Sequence, residues 1–261
     1  MSEFKYLTLE KRGHVAVVTF SNPPVNFLGP EPLGEYSRLL QRLDDDVDCR
    51  AIVLAAQGKV FCAGADFSGA IRELEDGGSP FDALDEFYAQ AMTLFDIGTP
   101  MVAAVQGAAI GAGLGLTLVA DFRVASLDTT FSANFTRLGF HPGFGLTETL
   151  PRLVGAHHAE LLFYTGRRIK GDEAARLGLV TKLVASEDVL EEAIALAMEI
   201  ASSAPLAVRD TRATLRGQLA ARVREANARE LQLQTAEMRT QDFREGIAAS
   251  LERREPRFTG R

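Results

Sequence analysis

The sequence predicts an α/β fold: buried strands alternating with helices, then a C-terminal region that is helical throughout. Three observations predict it. β-branched apolar runs alternate with segments whose apolar residues recur every three to four positions. Two glycine-bearing turns each come soon after such a run. From Glu187 onward the strand pattern gives way to helical spacing alone. With 261 residues, 46% of them hydrophobic and 24% charged, the chain can bury a core of ordinary size.

Residues 14–20 form the first apolar run, ending at Ser21-Asn22-Pro23-Pro24, where two prolines forbid further ladder pairing. Residues 31–43 follow as a helix with Leu33, Tyr36, Leu39, Leu40 and Leu43 on one side, closed by Asp44-Asp45-Asp46. Residues 50–56 and 101–105 read as buried strands, with a helix at 81–97 between them carrying Leu84, Phe87, Tyr88 and Met92. A short strand at 123–126 closes the alternation, which implies parallel crossover connections. Helices are expected at 187–202, 205–219, 222–238 and 241–254, so the chain divides into a core of 1–186 and a helical region of 187–261.

A net charge of −7 and a pI near 5.3 give no global field toward nucleic acid or anionic lipid. A polyanionic ligand would need local cations and backbone N–H groups. Cys49 and Cys62 make no disulfide framework and suit a reducing compartment. The apolar stretch 101–120 contains Gln106 and four glycines and runs into Asp121 and Arg123; it fits strand, turn and buried helix better than a membrane span. The N-terminal residues lack the layout of a signal peptide, so a soluble cytoplasmic protein is expected.

The two turns carry the chemistry. One is Lys59-Val60-Phe61-Cys62-Ala63-Gly64-Ala65-Asp66-Phe67; the other is Ala104-Val105-Gln106-Gly107-Ala108-Ala109-Ile110-Gly111-Ala112-Gly113. Small residues let a ligand approach the backbone, and a helix starting at 114 would add the positive end of its dipole. Two N–H groups converging on one oxygen make an oxyanion hole, each contributing about 3–4 kcal/mol to a transition state. Tight helix–strand packing is the other use such glycines have.

The first turn resembles the F-x-A-G-A-D turn of the crotonase (enoyl-CoA hydratase/isomerase) family, and the second resembles its A-V-x-G-x-x-x-G-x-G turn. The likeness continues through Asp121-Phe122-Arg123-Val124-Ala125, the block from Leu138 to Gly145, the blocks 161–169 and 173–180, and Phe243-Arg244-Glu245-Gly246 with 252–258. It implies a core of repeated ββα units, an acyl-CoA thioester substrate, no separate cofactor or metal because CoA belongs to the substrate, and assembly as a homotrimer or dimer of trimers. The apolar positions Leu190, Ile194, Leu196, Met198 and Ile200 are consistent with assembly. Carried over by position, the oxyanion donors are the N–H groups of Ala65 and Ala112. Ala63, Asp66, Phe67 and Ser68 border the pantetheine or adenine, and Arg253 sits near the phosphates. Asp66 would serve equally well as a helix N-cap.

The likeness breaks at the acid–base groups. The two glutamates of family hydratases fall at Gly115 and Phe135, and the aspartate of related subfamilies falls at Gly143. Tyr88 stands where other relatives carry histidine and is otherwise a core residue of its helix. His141, beside Pro142-Gly143, is the histidine within a motif block and so a candidate base, or else a loop residue. Glycine at 115 and phenylalanine at 135 predict an acyl pocket that is drier and, near Gly115, roomier, favouring a bulky acyl group. Three functions are compatible with these residues: an enoyl-CoA hydratase/isomerase; a thioester hydrolase, dehalogenase or decarboxylase using His141 or Tyr88; and a CoA-binding homologue without chemistry.

Overall fold

Strands buried on both faces read as unbroken apolar runs, and four of the runs seen in the sequence lie side by side in one sheet. The computed structural model describes residues 3–66 and 81–261, and for 81–83 the backbone alone. The main sheet contains β1 (Leu7–Arg12), β2 (Val15–Phe20), β3 (Ala51–Ala56), β4 (Met101–Val105), β6 (Phe122–Ser126) and β9 (Lys182–Val184), hydrogen-bonded in that order. β1 runs antiparallel to β2, and every other pair is parallel. A second sheet joins β5 (Ala108–Ile110), β7 (Thr130–Ser132) and β8 (Arg168–Lys170).

The helices are α1 (Pro30–Asp45), α2 (Phe81–Thr93), α3 (Ala112–Val119), α4 (Leu146–Val154), α5 (Ala156–Thr165), α6 (Gly171–Arg176), α7 (Val189–Ala201), α8 (Pro205–Arg216), α9 (Leu219–Glu237) and α10 (Gln241–Leu251). Among the described residues no helix is long and apolar enough to cross a membrane. Side chains alternate across the sheet with period two. Val15, Val17, Val53, Val102 and Val124 pack on one face against Ala193, Ile194 and Ala197 of α7. Ala16, Val18, Ile52, Leu54 and Ala103 face the other way, into the core shared with α1 and α2.

Most of the apolar face expected to serve assembly is therefore engaged within the chain. Ile194 is buried on the sheet, and Leu196 and Ile200 pack against the same cluster; Leu190 and Met198 are the exposed members. α8 is held by ion pairs from Arg212 to Asp121, just before β6, at 2.9 Å and from Arg209 to Asp44, in the last turn of α1, at 3.0 Å.

Several helix boundaries differ from those expected: α8 ends at Arg216 rather than 219, and α9 begins at Leu219 rather than 222. The helix expected from 114 begins at Ala112, directly on Gly111. α2 gives way after Thr93 to a 3-10 turn over Leu94–Asp96, and α10 ends at Leu251 rather than 254. The three-residue strands of the second sheet are too short to show a period, and β1 is a mostly exposed edge strand without an apolar run.

Candidate active site

The two glycine turns lie back to back at the C-terminal ends of β3 and β4. Cys62 donates its N–H to Ala108 O at 3.0 Å, and Ile110 donates to Cys62 O at 3.0 Å, so the turns pair like short strands. A Cβ on Gly113 would lie 2.3 Å from Cys62 O, which makes this the glycine of close packing. Gly64 and Gly111 do something else. They hold φ of 108° and 53°, values that residues with a side chain rarely adopt, and so set the direction of the peptide that follows.

Those following residues are Ala65 and Ala112. Leu28 pairs with the turn through Gly64 O and the N–H of Asp66, leaving the Ala65 N–H on the opposite side. Ala112 is the first residue of α3, so its N–H has no intrahelical acceptor, and no side chain caps it. Among the described residues neither N–H meets an acceptor. Alanine at 112 keeps a negative, helical φ, as an N–H donor there requires.

Both alanines line one cavity of about 50 Å³, together with Ala63, Tyr88, Asn134, Phe135 and Phe140. Cys62 beneath it is inert, since burial pushes its thiol up to about 12. The described part of the cavity wall is apolar apart from the backbone, the Tyr88 hydroxyl and the Asn134 carboxamide; for the carboxamide no described residue supplies a partner.

Tyr88 is buried and donates to Gln234 Oε1 at 2.8 Å; Gln234 Nε2 in turn donates to His141 O at 2.7 Å. Burial, reinforced by the charge of Glu230, drives the Tyr88 phenol well up, so it is a neutral hydrogen-bonding group and not a base. It also explains the missing aspartate: a Cβ on Gly143 would lie 1.9 Å from the Tyr88 hydroxyl oxygen. Tyr36, buried in the core without a partner for its hydroxyl, is raised in the same way. A phenol raised on folding contributes stability that is full below its unfolded pKa of about 10 and lost as pH climbs through the folded value. In an alkaline titration, wild type and Tyr88→Phe should give equal phenolate absorbance while folded and differ only after unfolding. An amplitude reduced in the folded variant would contradict this placement.

One expectation is corrected, and His141 is placed away from the other candidates. The space beside Gly115 is not roomy: the Phe144 ring fills it, and a Cβ at 115 would lie 2.6 Å from that ring. Phe144 holds φ of 65° to do so. His141 is not gathered with Ala65, Ala112 and Tyr88. Its backbone is clamped by Glu237 and Gln234, its Nδ1 lies 2.7 Å from Pro142 O, and it lines a separate cleft with Glu160 and Glu237. Ala63 is on the cavity wall and Asp66 is exposed at the end of the same turn, whereas Phe67 and Ser68 lie outside the described residues. Arg253 is exposed just beyond α10, with φ of 54°.

Asn134, Phe144 and Gln234 were not singled out by sequence. Gln234 had a signal: Val223, Asn227, Glu230, Gln234 and Met238 form the buried face of α9 and its end, and polar residues on a buried face require partners. Glu230 finds them in Gly145 N at 2.7 Å, Thr147 N at 2.9 Å and Thr147 Oγ1 at 2.6 Å, fixing the loop that leads into α4.

Two N–H groups on one cavity wall with no acceptor among the described residues, one of them at a helix start, are the kind of donors that can hold a developing oxyanion. A family model described as enoyl-CoA hydratase/isomerase matches residues 10–261. The chain is 34% identical to a short-chain-enoyl-CoA hydratase of Clostridium acetobutylicum, covering 97% of each, and 34% identical to a crotonyl-CoA hydratase of Syntrophomonas wolfei, covering 98% of each. It superposes on an enoyl-CoA hydratase/isomerase from Pseudoalteromonas atlantica with a TM-score of 0.86 at 31% identity, covering 98% of this chain and 100% of that one. This chain belongs to the enoyl-CoA hydratase/isomerase family and is an acyl-CoA thioester enzyme of it.

Proposed function

We propose that the enzyme binds its acyl-CoA with the thioester oxygen between the N–H groups of Ala65 and Ala112, which stabilise the enolate formed at the α-carbon. The observation that carries this is the pair of N–H groups without acceptors on the wall of one cavity. In a site that excludes water such donors are worth more than in solvent, because nothing screens them and nothing has to reorient. By family likeness Ala63, Asp66, Phe67 and Ser68 border the CoA arm, Arg253 approaches its phosphates, and the chain assembles as a homotrimer or dimer of trimers; its composition suits the cytoplasm.

The chemistry differs from two-glutamate hydration in its proton handling. Neither 115 nor 135 carries a carboxylate, and the polar side chains on the described wall are the neutral Tyr88 and Asn134. Water or a proton is then held by these two groups without a strong base, at a cost of about 10²–10⁴ in rate. The two hydratases named above support an enoyl-CoA of short chain as substrate. The test is a panel of acyl-CoAs, short to aromatic, followed by mass spectrometry for water gain, isomerisation or acyl release. Turnover confined to short enoyl-CoAs, with crotonyl-CoA hydrated slowly, is the expected result. Acyl release, or hydration at the rate of a two-glutamate relative, would contradict it.

A further inference from the structure

We infer that Phe140 is the end wall of the acyl pocket and restricts the enzyme to short acyl chains, keeping the oxyanion cavity apart from a larger cleft that would otherwise extend it. This rests on the reading of the cavity as an acyl-thioester site. The oxyanion cavity measures about 50 Å³, room for about three or four water molecules and hence for a short acyl group only. Behind it lies a cleft of about 480 Å³ whose apolar lining includes Pro142, Pro151, Ala156, Ala159 and Phe163. Among the described residues that line these two spaces, Phe140 belongs to both.

Its ring is 3% exposed and is gripped from two sides. It meets Phe135 edge-on at 5.6 Å and Phe243 edge-on at 5.4 Å, so the wall is a fixed aromatic partition. The cleft also contains Glu160 and Glu237, whose charges oppose the phosphates of CoA. Its apolar floor suits the tail of an acyl chain, and its acidic groups exclude the other end of the substrate. Phe135 therefore has a second consequence: besides replacing a hydratase carboxylate, it braces the ring that closes the pocket.

The test is calorimetric binding of butyryl-CoA and decanoyl-CoA to wild type, Phe140→Ala, Phe140→Leu and Phe140→Ala/Ala156→Trp, with circular dichroism confirming that each is folded. Wild type should bind butyryl-CoA at least about tenfold more tightly. Phe140→Ala should shift the ratio toward decanoyl-CoA by about fourfold for each methylene that enters the cleft. Phe140→Leu should give a smaller shift in the same direction if the alanine variant fails to fold. Ala156 is exposed at the cleft, and a tryptophan there should take back the gain in decanoyl-CoA binding. An unchanged ratio in the folded variants, with butyryl-CoA still bound, would overturn the wall and leave the acyl-CoA site standing. Failure of folded wild type to bind either thioester would overturn both.

Discussion

Replacing Ala112 by proline should lower enoyl-CoA turnover about 10²–10³-fold in a protein that remains folded. The position makes this a clean removal of one donor. Ala112 is the first residue of α3, where proline fits the helix and costs no intrahelical hydrogen bond, and the N–H it removes has no acceptor among the described residues. Ala112→Gly is the control: it keeps the N–H, loses up to about 1 kcal/mol of helix stability, and should keep most of the rate. Circular dichroism and steady-state kinetics on the two variants decide the matter. Near-normal kcat/KM in Ala112→Pro would remove the oxyanion hole from this account.

The second large effect concerns the lost carboxylates. Gly115→Glu should destabilise the protein by about 3 kcal/mol or more, because its Cβ alone would press into the buried Phe144 ring and its carboxylate would be left in an apolar core. Restoring glutamate at 115 and 135 together should therefore lower Tm without restoring hydration. Adding Phe144→Gly removes the ring and suits the φ of 65° at that residue. The triple variant should then hydrate crotonyl-CoA about 10²-fold faster than wild type. A double variant with wild-type Tm would show that Phe144 does not block the position. These linked changes describe one packing solution: Phe144 fills the space beside Gly115 and Tyr88 fills the space beside Gly143, where a carboxylate side chain would otherwise stand.

The parts of the molecule legible in sequence are those that repeat. The runs at 14–20, 50–56 and 101–105 became the buried strands β2, β3 and β4 within a residue of their expected bounds, and the four C-terminal helices lie within about three residues of theirs. Both glycine turns were legible through their likeness to the family's motifs, since small residues after a strand serve tight packing as readily as an oxyanion hole. What stayed hidden depends on contacts between distant segments. Nothing local marks Phe144 as a residue with positive φ, since aromatic residues rarely adopt it. Asn134 lines the cavity from a short 3-10 turn over Asn134–Leu138, too brief to show a period. His141 was attractive because its loop runs beside the site, but its backbone is what the site uses: Gln234 takes its carbonyl and Glu237 its N–H, and the imidazole faces another cleft. Neighbours in sequence fix where a loop passes; the opposing helix fixes which of its atoms face the site.

The central claim, that the N–H groups of Ala65 and Ala112 grip the thioester oxygen, is tested most directly by isotope-edited infrared spectroscopy of butyryl-CoA carrying carbon-13 at its carbonyl. Two hydrogen bonds in a dry site polarise the C=O bond, so the band should move to lower frequency on binding, and Ala112→Pro should cancel part of that shift. A bound thioester whose carbonyl band stays at its solution frequency, or shifts equally in the proline variant, would contradict the account.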